Sequence, residues 1–444
     1  MKTVTISTLG CKVNQFESEA IIESLEAEGY QIVPFGEKAD ITIINTCTVT
    51  HRADFQSRQM VRRARRSNTH TLLILTGCYV QVDPERLSKI EGVKYLLGNR
   101  EKKHIARLLS LMERGDLPKI QVEDIQQKSL FSDTPLHSFR YHTRAFLKIQ
   151  DGCDGRCSYC IVPHARGPSR SLAAERVFEH LKELKQRGYK EVVLTGIHLG
   201  AYGLDLNPPL SLEKLLGQVE RHETPSRIRL SSIEPGDFSP DLIDLVSRSS
   251  KICPHLHIPI QSGDDEILKR MNRNYNSSFL SDLILKLHER IPSLSSGADM
   301  MVGFPGETDE RFLRTFELIA SLPLAYLHVF PFSRRKGTPA AQFSDGVGEE
   351  EIRKRAGSLR ALGKEKRQAY YHRFLHQELN VLIEGRRRKE TGWRGLSRNY
   401  IPVFLRDENG TKNRDWINEE LHVVVTELTE KGVIGKVRES EEHG

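Results

Sequence analysis

The sequence predicts an α/β protein in three parts: an N-terminal domain with a parallel sheet, a central open (β/α)6 barrel, and a small C-terminal antiparallel β-barrel. Three observations predict this fold class. Short apolar runs alternate with helical patterns over residues 1–140, the alternation resumes with longer repeats over residues 141–375, and short alternating strands with turns follow over residues 376–440. Strand and helix alternation builds parallel sheets, whereas short alternating strands close into small barrels.

The bulk composition is typical of a globular protein. The 444 residues exceed one ordinary domain, and 38% hydrophobic with 28% charged residues exclude a disordered chain. The N-terminus lacks the features of a signal peptide, and no apolar run approaches the length of a membrane span. We therefore expect a cytoplasmic protein without a membrane partner. Arginine clusters concentrate the formal charge of +7, although such clusters are usually solvated faces.

The predicted strands of the N-terminal domain are TVTISTLG, DITIINT, TLLILTG and VKYLLG, with helical patterns between them. The first three strands end in Cys11, Cys47 and Cys78, respectively. The carboxyl ends of parallel strands share one edge of a sheet, so we expect these thiols to meet at one metal centre. The alternative is that each cysteine is a small buried apolar residue.

The central domain has six predicted strands whose chemistry should lie at their carboxyl ends. These strands are AFLKIQ, EVVLTGIHLG, RIRLSSIEP, HLHIPIQSG, GADMMVGFPGE and YLHVFPFS. Helical stretches separate them, which favours an open barrel of six βα units.

The loop DGCDGRCSYC after the first of these strands contains Cys153, Cys157 and Cys160. A structural zinc site takes four ligands, usually from paired knuckles, and His164 leaves a Cys₃His site as an alternative. Three thiolates on a [4Fe–4S] cubane leave one iron without a protein ligand, so a substrate or cofactor can bind it. Cys253 stands outside both groups, and we expect it to pack as a small apolar residue.

The C-terminal strands include cationic and aromatic side chains. Cationic groups engage phosphate and aromatic rings stack on exposed bases, so this composition in an all-β module indicates RNA contact. The alternative is an exposed basic hairpin with Trp393 in a core. The candidate RNA-binding residues are Arg386, Arg387, Arg388, Trp393, Arg394 and Tyr400.

The cysteine loop, with an aromatic residue before its last cysteine, resembles the radical S-adenosylmethionine (SAM) superfamily. In that family the open iron chelates SAM, and an electron cleaves it to a 5′-deoxyadenosyl radical. The resemblance implies SAM contacts in TGIHLGAYG, SSIEP, PIQSGDD and GFPGET, for which the alternative is a turn or a helix start. The candidate SAM-binding residues are Tyr159, Thr195, Gly196, Ser232, Glu234 and Gln261.

Nearly the whole chain resembles the radical SAM methylthiotransferases, whose C-terminal domain is of the TRAM type. TLGCKVNQFES, INTCTVT and LTGCYVQ look most like the branch that modifies threonylcarbamoyladenosine beside the tRNA anticodon, whereas the isopentenyladenosine branch typically has FGCQMN. The resemblance implies two [4Fe–4S] clusters: an auxiliary cluster on the N-terminal thiols, and a SAM-cleaving cluster on the loop thiols. One SAM would methylate a sulfur on the auxiliary cluster, and another would supply the radical that abstracts hydrogen from carbon 2 of adenine.

The expected function is therefore methylthiolation of carbon 2 of N6-threonylcarbamoyladenosine in tRNA. The implied partners are the anticodon loop of tRNA and an electron donor such as a flavodoxin or ferredoxin. Alternatives within the family are methylthiolation of a ribosomal protein aspartate or of isopentenyladenosine in tRNA. An alternative of another class is a non-catalytic RNA-binding protein whose thiols hold structural zinc.

Overall fold

Strands and helices alternate along most of the chain, as the apolar pattern predicts. A computed structural model describes residues 1–127, 129–136, 139, 143–386, 392–406 and 415–438. None of the helices in these ranges is long and apolar enough to cross a bilayer. The predicted α/β fold class is confirmed.

The N-terminal part contains one parallel sheet. Its strands are β1 (Thr3–Thr8), β2 (Gln31–Ile32), β3 (Ile41–Thr46), β4 (Leu72–Gly77), β5 (Val93–Leu97) and β6 (Ile120–Gln121). Its helices are α1 (Lys12–Ala27), α2 (His51–Ser67), α3 (Cys78–Val82), α4 (Pro84–Ser88) and α5 (Ile105–Arg114). The strand order is β2-β1-β3-β4-β5-β6. Because α1 covers one face and α2 the other, every residue of β3 is buried.

The central part has six barrel strands and a two-strand ribbon. The strands are β7 (Arg144–Lys148), β8 (Gln150–Asp151), β9 (Arg170–Ser171), β10 (Glu191–Thr195), β11 (Arg227–Leu230), β12 (His255–Gln261), β13 (Ser295–Val302) and β14 (Tyr326–Pro331). The helices are α6 (Val162–Arg166), α7 (Ala174–Gln186), α8 (Leu212–Val219), α9 (Pro240–Arg248), α10 (Asp265–Arg270), α11 (Ser277–Arg290), α12 (Asp309–Ser321) and α13 (Glu349–His372).

The six barrel strands pair in parallel within two groups, β7-β10-β11 and β12-β13-β14. The ladder between β11 and β12 is reduced to isolated bonds, such as the one that Ile233 N donates to His257 O at 3.0 Å. β11 has only four residues, so it ends before it can pair fully with β12. The arrangement is the predicted open barrel.

Side chains alternate across the barrel strands and define its interior. On β12, Leu256, Ile258 and Ile260 pack in the large core shared with the surrounding helices. His255 and His257 therefore lie on the opposite, inner face. The space enclosed by the inner faces of the six strands is called the lumen below, and polar side chains line it.

The C-terminal part is a closed five-stranded barrel in the order β15-β16-β17-β19-β18. Its strands are β15 (Glu378–Arg386), β16 (Gly392–Ser397), β17 (Pro402–Arg406), β18 (Glu420–Thr429) and β19 (Gly432–Val437). Four neighbouring pairs are antiparallel, but β17 and β19 pair in parallel. The predicted small antiparallel barrel is confirmed, with one parallel pair, because the last hairpin folds back so that β19 closes against β17.

A buried ion cluster joins the two barrels. Arg227 Nε and Arg229 Nε each donate to a carboxylate oxygen of Glu191 at 2.7 Å, and all three side chains are 0% exposed. The same guanidinium groups donate to the C-terminal barrel, from Arg227 Nη2 to Leu396 O and from Arg229 Nη1 to Arg398 O, both at 2.9 Å. Despite burial, the two arginines hold the pKa of Glu191 well below its usual value.

We predict that Glu191→Gln lowers the free energy of unfolding by about 3–5 kcal/mol at neutral pH, because two buried guanidinium groups lose their counter-charge. Urea denaturation measures this, with the exposed Glu28→Gln as the control. A depressed folded-state pKa stabilises the fold above the unfolded value of about 4.3, so the difference from wild type should shrink below that pH. A difference that does not change with pH would contradict the assignment.

Candidate metal centre

The three N-terminal cysteines lie at the carboxyl ends of neighbouring strands. Cys11 follows β1 and caps α1, Cys47 follows β3, and Cys78 begins α3 directly after β4. Because β3 pairs in parallel with both β1 and β4, these ends share one edge of the sheet. The structure thus brings the three residues together as predicted, while their role as metal ligands stays a prediction.

Gly10 shows how closely the first two cysteines approach each other. Its φ of +100° lies in the region that favours glycine. A Cβ added there would lie 2.9 Å from Cys47 Cβ and 3.0 Å from Cys47 Sγ. The glycine before Cys11 therefore makes room for the thiol at the end of β3.

The cysteine loop is fixed by contacts with the rest of the barrel. Ser158 N donates to Met271 O at 3.0 Å, and Ala340 N donates to Ser158 O at 2.8 Å. Arg273 Nη1 donates to Cys157 Sγ at 3.2 Å. These bonds tie the loop to segments that follow the fourth and sixth barrel strands, so its thiols are held at the carboxyl end of the barrel.

His198 lies beside the first thiol of the loop. Its Nδ1 lies 3.8 Å from Cys153 Sγ, and its Nε2 lies 2.8 Å from Asp237 Oδ2. Burial opposes protonation, but the bonds to Asp237 and Cys153 raise the pKa of His198 to about 10. His164, the predicted alternative ligand, is exposed on α6.

The spacing of the thiols does not suit a single metal ion. In the described part of the chain, the three sulfur atoms of neither group all lie within 4.8 Å of one another. A tetrahedral zinc with bonds of about 2.3 Å would bring its sulfur ligands closer than that. A cubane takes one thiolate at each of several corners and needs wider spacing. The donor set therefore fits an iron–sulfur cluster better than zinc.

Burial opposes ionisation of one thiol in each group, Cys47 and Cys160. Desolvation, followed by the nearby Cys78, raises the pKa of Cys47 to about 12. Desolvation likewise raises the pKa of Cys160 to about 12. Binding a metal cluster would release these protons, because the thiolate is the ligand.

Arg166 connects the two groups of cysteines. It ends α6, which begins two residues after Cys160, and its Nε donates to Cys78 Sγ at 3.3 Å. Helices α3 and α6 pack against each other, and Asn99 Nδ2 donates to Ala165 O at 2.6 Å. Because a helix rises about 1.5 Å per residue, α6 spans only roughly 8 Å. The two groups of thiols are therefore separated by one short helix.

Glu17 is the main counter-charge of Arg166. The guanidinium donates to both carboxylate oxygens of Glu17, at 2.7 and 3.0 Å, and Lys148 Nζ lies 3.1 Å away. Lys102 also pairs with Glu17. Although burial alone would raise it, the charges of Arg166, Lys102 and Lys148 hold the pKa of Glu17 well below its usual value. The network joins α1 of the N-terminal part to β7 and α6 of the barrel.

A second contact between the N-terminal part and the barrel follows the last barrel strand, β14. Arg335 Nη1 lies 2.8 Å from Asp54 Oδ2, and its Nη2 donates to Thr48 Oγ1 at 2.6 Å. Thr48 follows Cys47 directly, and all three contacting residues are buried. The arginine cluster at residues 333–336 is thus not wholly a solvated face: Arg335 holds the N-terminal part against the barrel.

Three of the predicted SAM-binding positions line the barrel near the cysteine loop. Tyr159 is partly buried and meets Phe304 edge to face, with the ring centroids 6.5 Å apart. Thr195, at the end of β10, is 1% exposed. A Cβ on Gly196 would lie 2.7 Å from Gln150 Oε1, so a side chain here would displace the Gln150 amide.

The other three positions differ in accessibility. Ser232 is exposed. Glu234 is half-buried, and its carboxylate accepts a hydrogen bond from Arg273 Nη2 at 2.6 Å. Gln261 is 7% exposed with φ of 69°, and in the described part of the chain its Oε1 has no hydrogen-bond partner. An unpartnered buried amide oxygen is costly, which favours Gln261 as a ligand contact.

Two of the motifs begin helices, as the alternative interpretation predicts. In PIQSGDD, Asp264 accepts a hydrogen bond from Ile267 N at 3.0 Å and caps α10. In GFPGET, Thr308 accepts from Arg311 N at 3.4 Å and caps α12. Cys253 is 0% exposed, in agreement with a packing role.

The structure corrects two of the predicted RNA contacts. Trp393 is 1% exposed and packs against Trp416 in the core of the C-terminal barrel, so it cannot stack on a base. Tyr400 stacks on His255, with the ring centroids 4.0 Å apart, and the Arg229 guanidinium lies over the Tyr400 ring, 5.1 Å from its centroid. Both aromatic rings serve packing, because a small barrel needs large side chains to fill it.

The remaining candidates are cationic. Arg394 is exposed on β16, and Arg386 is exposed on β15 with its guanidinium 4.6 Å from the Trp393 ring centroid. Arg387 and Arg388 lie outside the described residues.

Sequence reasoning missed four residues that organise the site: Arg166, Arg273, His198 and Gln150. The signal for the first was its place in PHARG, directly after the cysteine loop. Gln150 Oε1 accepts from Ile197 N and His198 N, both at 2.8 Å, and so shapes the turn after β10. Nothing in the spacing of Gln150, His198 and Arg273 distinguishes these three from ordinary surface polar residues.

The fold and the thiol loop define a radical SAM protein. Residues 147–319 match the radical SAM superfamily, and residues 3–98 match uncharacterized protein family UPF0004. The solved structure of the radical SAM methyltransferase TsrM from Kitasatospora setae aligns with a TM-score of 0.56 at 15% identity, covering 76% of this chain and 77% of that chain.

Sequence identity to curated relatives shows to which family of radical SAM proteins the chain belongs. The chain is 39% identical over 410 residues to the threonylcarbamoyladenosine tRNA methylthiotransferase MtaB of Bacillus subtilis, covering 91% of each chain. It is 38% identical to MtaB of Thermotoga maritima, covering 98% of this chain and 96% of that one. Identity to the tRNA-2-methylthio-N(6)-dimethylallyladenosine synthase of Clostridium botulinum is 32%, covering 86% and 85%. The chain belongs to the MtaB family of radical SAM methylthiotransferases, enzymes that use an iron–sulfur cluster and SAM.

We predict that Arg166→Lys lowers the iron and sulfide content of the anaerobically reconstituted enzyme, because lysine cannot donate both to Cys78 and to two oxygens of Glu17. Iron and sulfide analysis per chain measures this. The exposed Arg114→Lys is the control, and its content should equal wild type. Equal cluster content in both variants would show that Arg166 is not needed to hold the thiols.

Proposed function

We propose that this enzyme methylthiolates carbon 2 of N6-threonylcarbamoyladenosine in tRNA, giving the 2-methylthio nucleoside. The observation that carries the proposal is the approach of two three-thiol groups across α6, in a chain 39% identical to an enzyme named for this substrate. The 32% identity to a dimethylallyladenosine synthase is lower, which favours the threonylcarbamoyl nucleoside over the isopentenyl one.

We assign one [4Fe–4S] cluster to each group, the auxiliary cluster to Cys11, Cys47 and Cys78, and the SAM-cleaving cluster to the loop thiols. Three thiolates on a four-iron core leave one iron free, and the sulfur spacing does not suit zinc. When bound, the clusters and SAM supply the sulfur, the methyl group and the radical, which an unactivated aromatic C–H requires.

Two arginine side chains stabilise the charge of the thiolates and fix the position of the cysteine loop. Arg166 Nε and Arg273 Nη1 each donate to one ligand sulfur, Cys78 and Cys157, and such bonds stabilise a thiolate. Arg273 also pairs with Glu234 at the end of β11, so the loop and a proposed SAM contact are oriented by one guanidinium. Both sets of thiols then stay fixed while a substrate enters between them.

The target base must leave its stack to reach this site. Bases of single-stranded loops can be splayed out and bound individually, as the anticodon loop allows. We propose that the exposed Arg386 and Arg394 of the C-terminal barrel contact the phosphates, and that Arg387 and Arg388, which follow Arg386 in the sequence, also contribute charge. A flavodoxin or ferredoxin is the proposed electron donor. The proposed domains are residues 1–140, 141–375 and 376–440.

Mass spectrometry of tRNA nucleosides tests the proposal. Reconstituted wild type with SAM and a reductant should convert threonylcarbamoyladenosine in tRNA to its 2-methylthio form. Cys11→Ala should still cleave SAM but insert no sulfur, and Cys157→Ala should do neither, because the two groups have separate tasks. Unchanged nucleoside with the active wild-type enzyme refutes the substrate, and lost SAM cleavage in folded Cys11→Ala refutes the division of tasks.

A further inference from the structure

Two histidines and an aspartate converge on the inner face of three neighbouring barrel strands. They are His257 on β12, Asp299 on β13 and His328 on β14. His328 pairs directly with Asp299 in the parallel ladder. His257 pairs with Gly297, which lies two residues before Asp299 and hence on the same face of β13. Because the residues that alternate with these three pack in the barrel core, all three side chains face the lumen.

The polar atoms of this group lie close enough to bind one ion. His257 Nε2 lies 2.7 Å from Asp299 Oδ1, and His328 Nδ1 lies 3.4 Å from the same oxygen. One ligand atom from each residue lies within 4.8 Å of the other two. Atoms bound to zinc at about 2.0–2.2 Å are separated by roughly 3–3.5 Å, so small side-chain rotations would place these three around an ion. Neither group of cysteines has this spacing.

Tyr326 orients the ring of His257 from the other side. His257 Nδ1 lies 3.2 Å from the Tyr326 hydroxyl, which lies 2.8 Å from His255 Nε2. When Nδ1 donates to that hydroxyl, the neutral imidazole presents the lone pair of Nε2 toward Asp299. Histidine ligands of metals commonly donate their other nitrogen in this way, which fixes the ring. A Cβ on Gly297 would lie 2.0 Å from the Tyr326 ring, so the glycine makes room for this partner.

The exposure of the group increases from β12 to β14. The side chains of His257 and Asp299 are 11% and 21% exposed, whereas that of His328 is 56% exposed. An exposed ion pair contributes little to stability, so pairing alone does not explain why His328 lies beside the carboxylate. An ion can enter from solvent past His328 and keep a water ligand on that side.

We propose that His257, Asp299 and His328 bind one zinc ion, with water completing its coordination. Two imidazoles and one carboxylate form a donor set that zinc accepts together with water. His257 lies four residues before Gln261, the last residue of β12, which is roughly 13 Å along the strand. The zinc site is therefore separate from the cysteine loop at the carboxyl end of the barrel.

Zinc binding to the anaerobically reconstituted enzyme, expressed without a histidine tag, tests the site. Reconstitution first loads the cysteines with iron and sulfide. The enzyme is then dialysed against micromolar Zn²⁺ and against metal-free buffer, and its zinc content is measured. Wild type should retain about one zinc per chain, and X-ray absorption at the zinc edge should show nitrogen and oxygen at about 2.0–2.2 Å without sulfur at about 2.3 Å.

Asp299→Asn and His328→Ala each remove one ligand. Each should weaken zinc binding about tenfold or more, since even the hydrogen-bond partners of metal ligands contribute that much. The matched control is His70→Ala, which removes an exposed histidine of the N-terminal part and should bind zinc as wild type does. Because zinc binds the folded state, it should raise the Tm of wild type and of the control, but not that of His328→Ala.

A hydrogen-bonded group that binds no metal is the main alternative. Absence of zinc from wild type, or equal zinc affinity in wild type and both ligand variants, would show this alternative and overturn the site. Zinc bound through sulfur would also overturn it, because the ion would then occupy cysteines. Weakened zinc binding in His328→Ala, with iron content and circular dichroism equal to wild type, supports the site even if Asp299→Asn does not fold. None of these measurements depends on the nucleoside that the enzyme modifies.

Discussion

The paired charges of Arg166 and Glu17 are the constraint on which the arrangement of the site depends. Both side chains are buried, they come from different parts of the chain, and the guanidinium also reaches a cysteine sulfur. Breaking a buried pair leaves an uncompensated charge, so the N-terminal part cannot slide on the barrel without a large cost. The contact between Arg335, after β14, and Asp54 of α2 is a second link between the same parts. Together they fix one group of thiols relative to the other.

The lumen beneath this mouth is closed at its other end by the C-terminal barrel. Arg227 and Arg229 reach across that boundary to backbone carbonyl groups, and Tyr400 stacks on His255 of β12. Higher on the inner wall, His257 Nε2 lies 2.7 Å from Asp299 Oδ1, so the wall is polar and hydrogen-bonded. The inner wall between the thiols and the C-terminal barrel therefore offers polar groups. The C-terminal barrel thus contributes to the shape of the site as well as offering exposed arginines.

Much of the architecture could be predicted because it depends on local patterns. The β-branched runs that became β1, β3 and β4 end at cysteines, and parallel pairing alone is enough to bring those ends to one edge. The cysteine loop could also be predicted, from the spacing of its cysteines. The groups that support the thiols could not be predicted, because Arg166 and Arg273 reach Cys78 and Cys157 through side-chain contacts between segments distant in sequence. For Trp393 the prediction was wrong. The composition indicated an RNA contact, but the indole ring is buried in the core of the C-terminal barrel.

Runs of basic residues in the sequence do not show which of these residues form ion pairs in the structure. The sequence presents Arg335 as one member of a basic cluster, yet it is 6% exposed and paired with Asp54. Arg166, which stands outside such runs, is 1% exposed, pairs with Glu17 and donates to Cys78 Sγ at 3.3 Å. Charge runs therefore did not identify the functional cations, since pairing in three dimensions decides which charges remain available to a ligand.

The central claim is that two three-thiol clusters face one substrate across α6. A crystal structure of the anaerobically reconstituted enzyme, with iron located by anomalous scattering, tests it most directly. The account predicts two separate iron sites, each bound by three cysteines, with the open iron of each facing the space between the N-terminal sheet and the barrel mouth. One iron site only, a fourth protein ligand on either cluster, or open irons that face away from each other would contradict it.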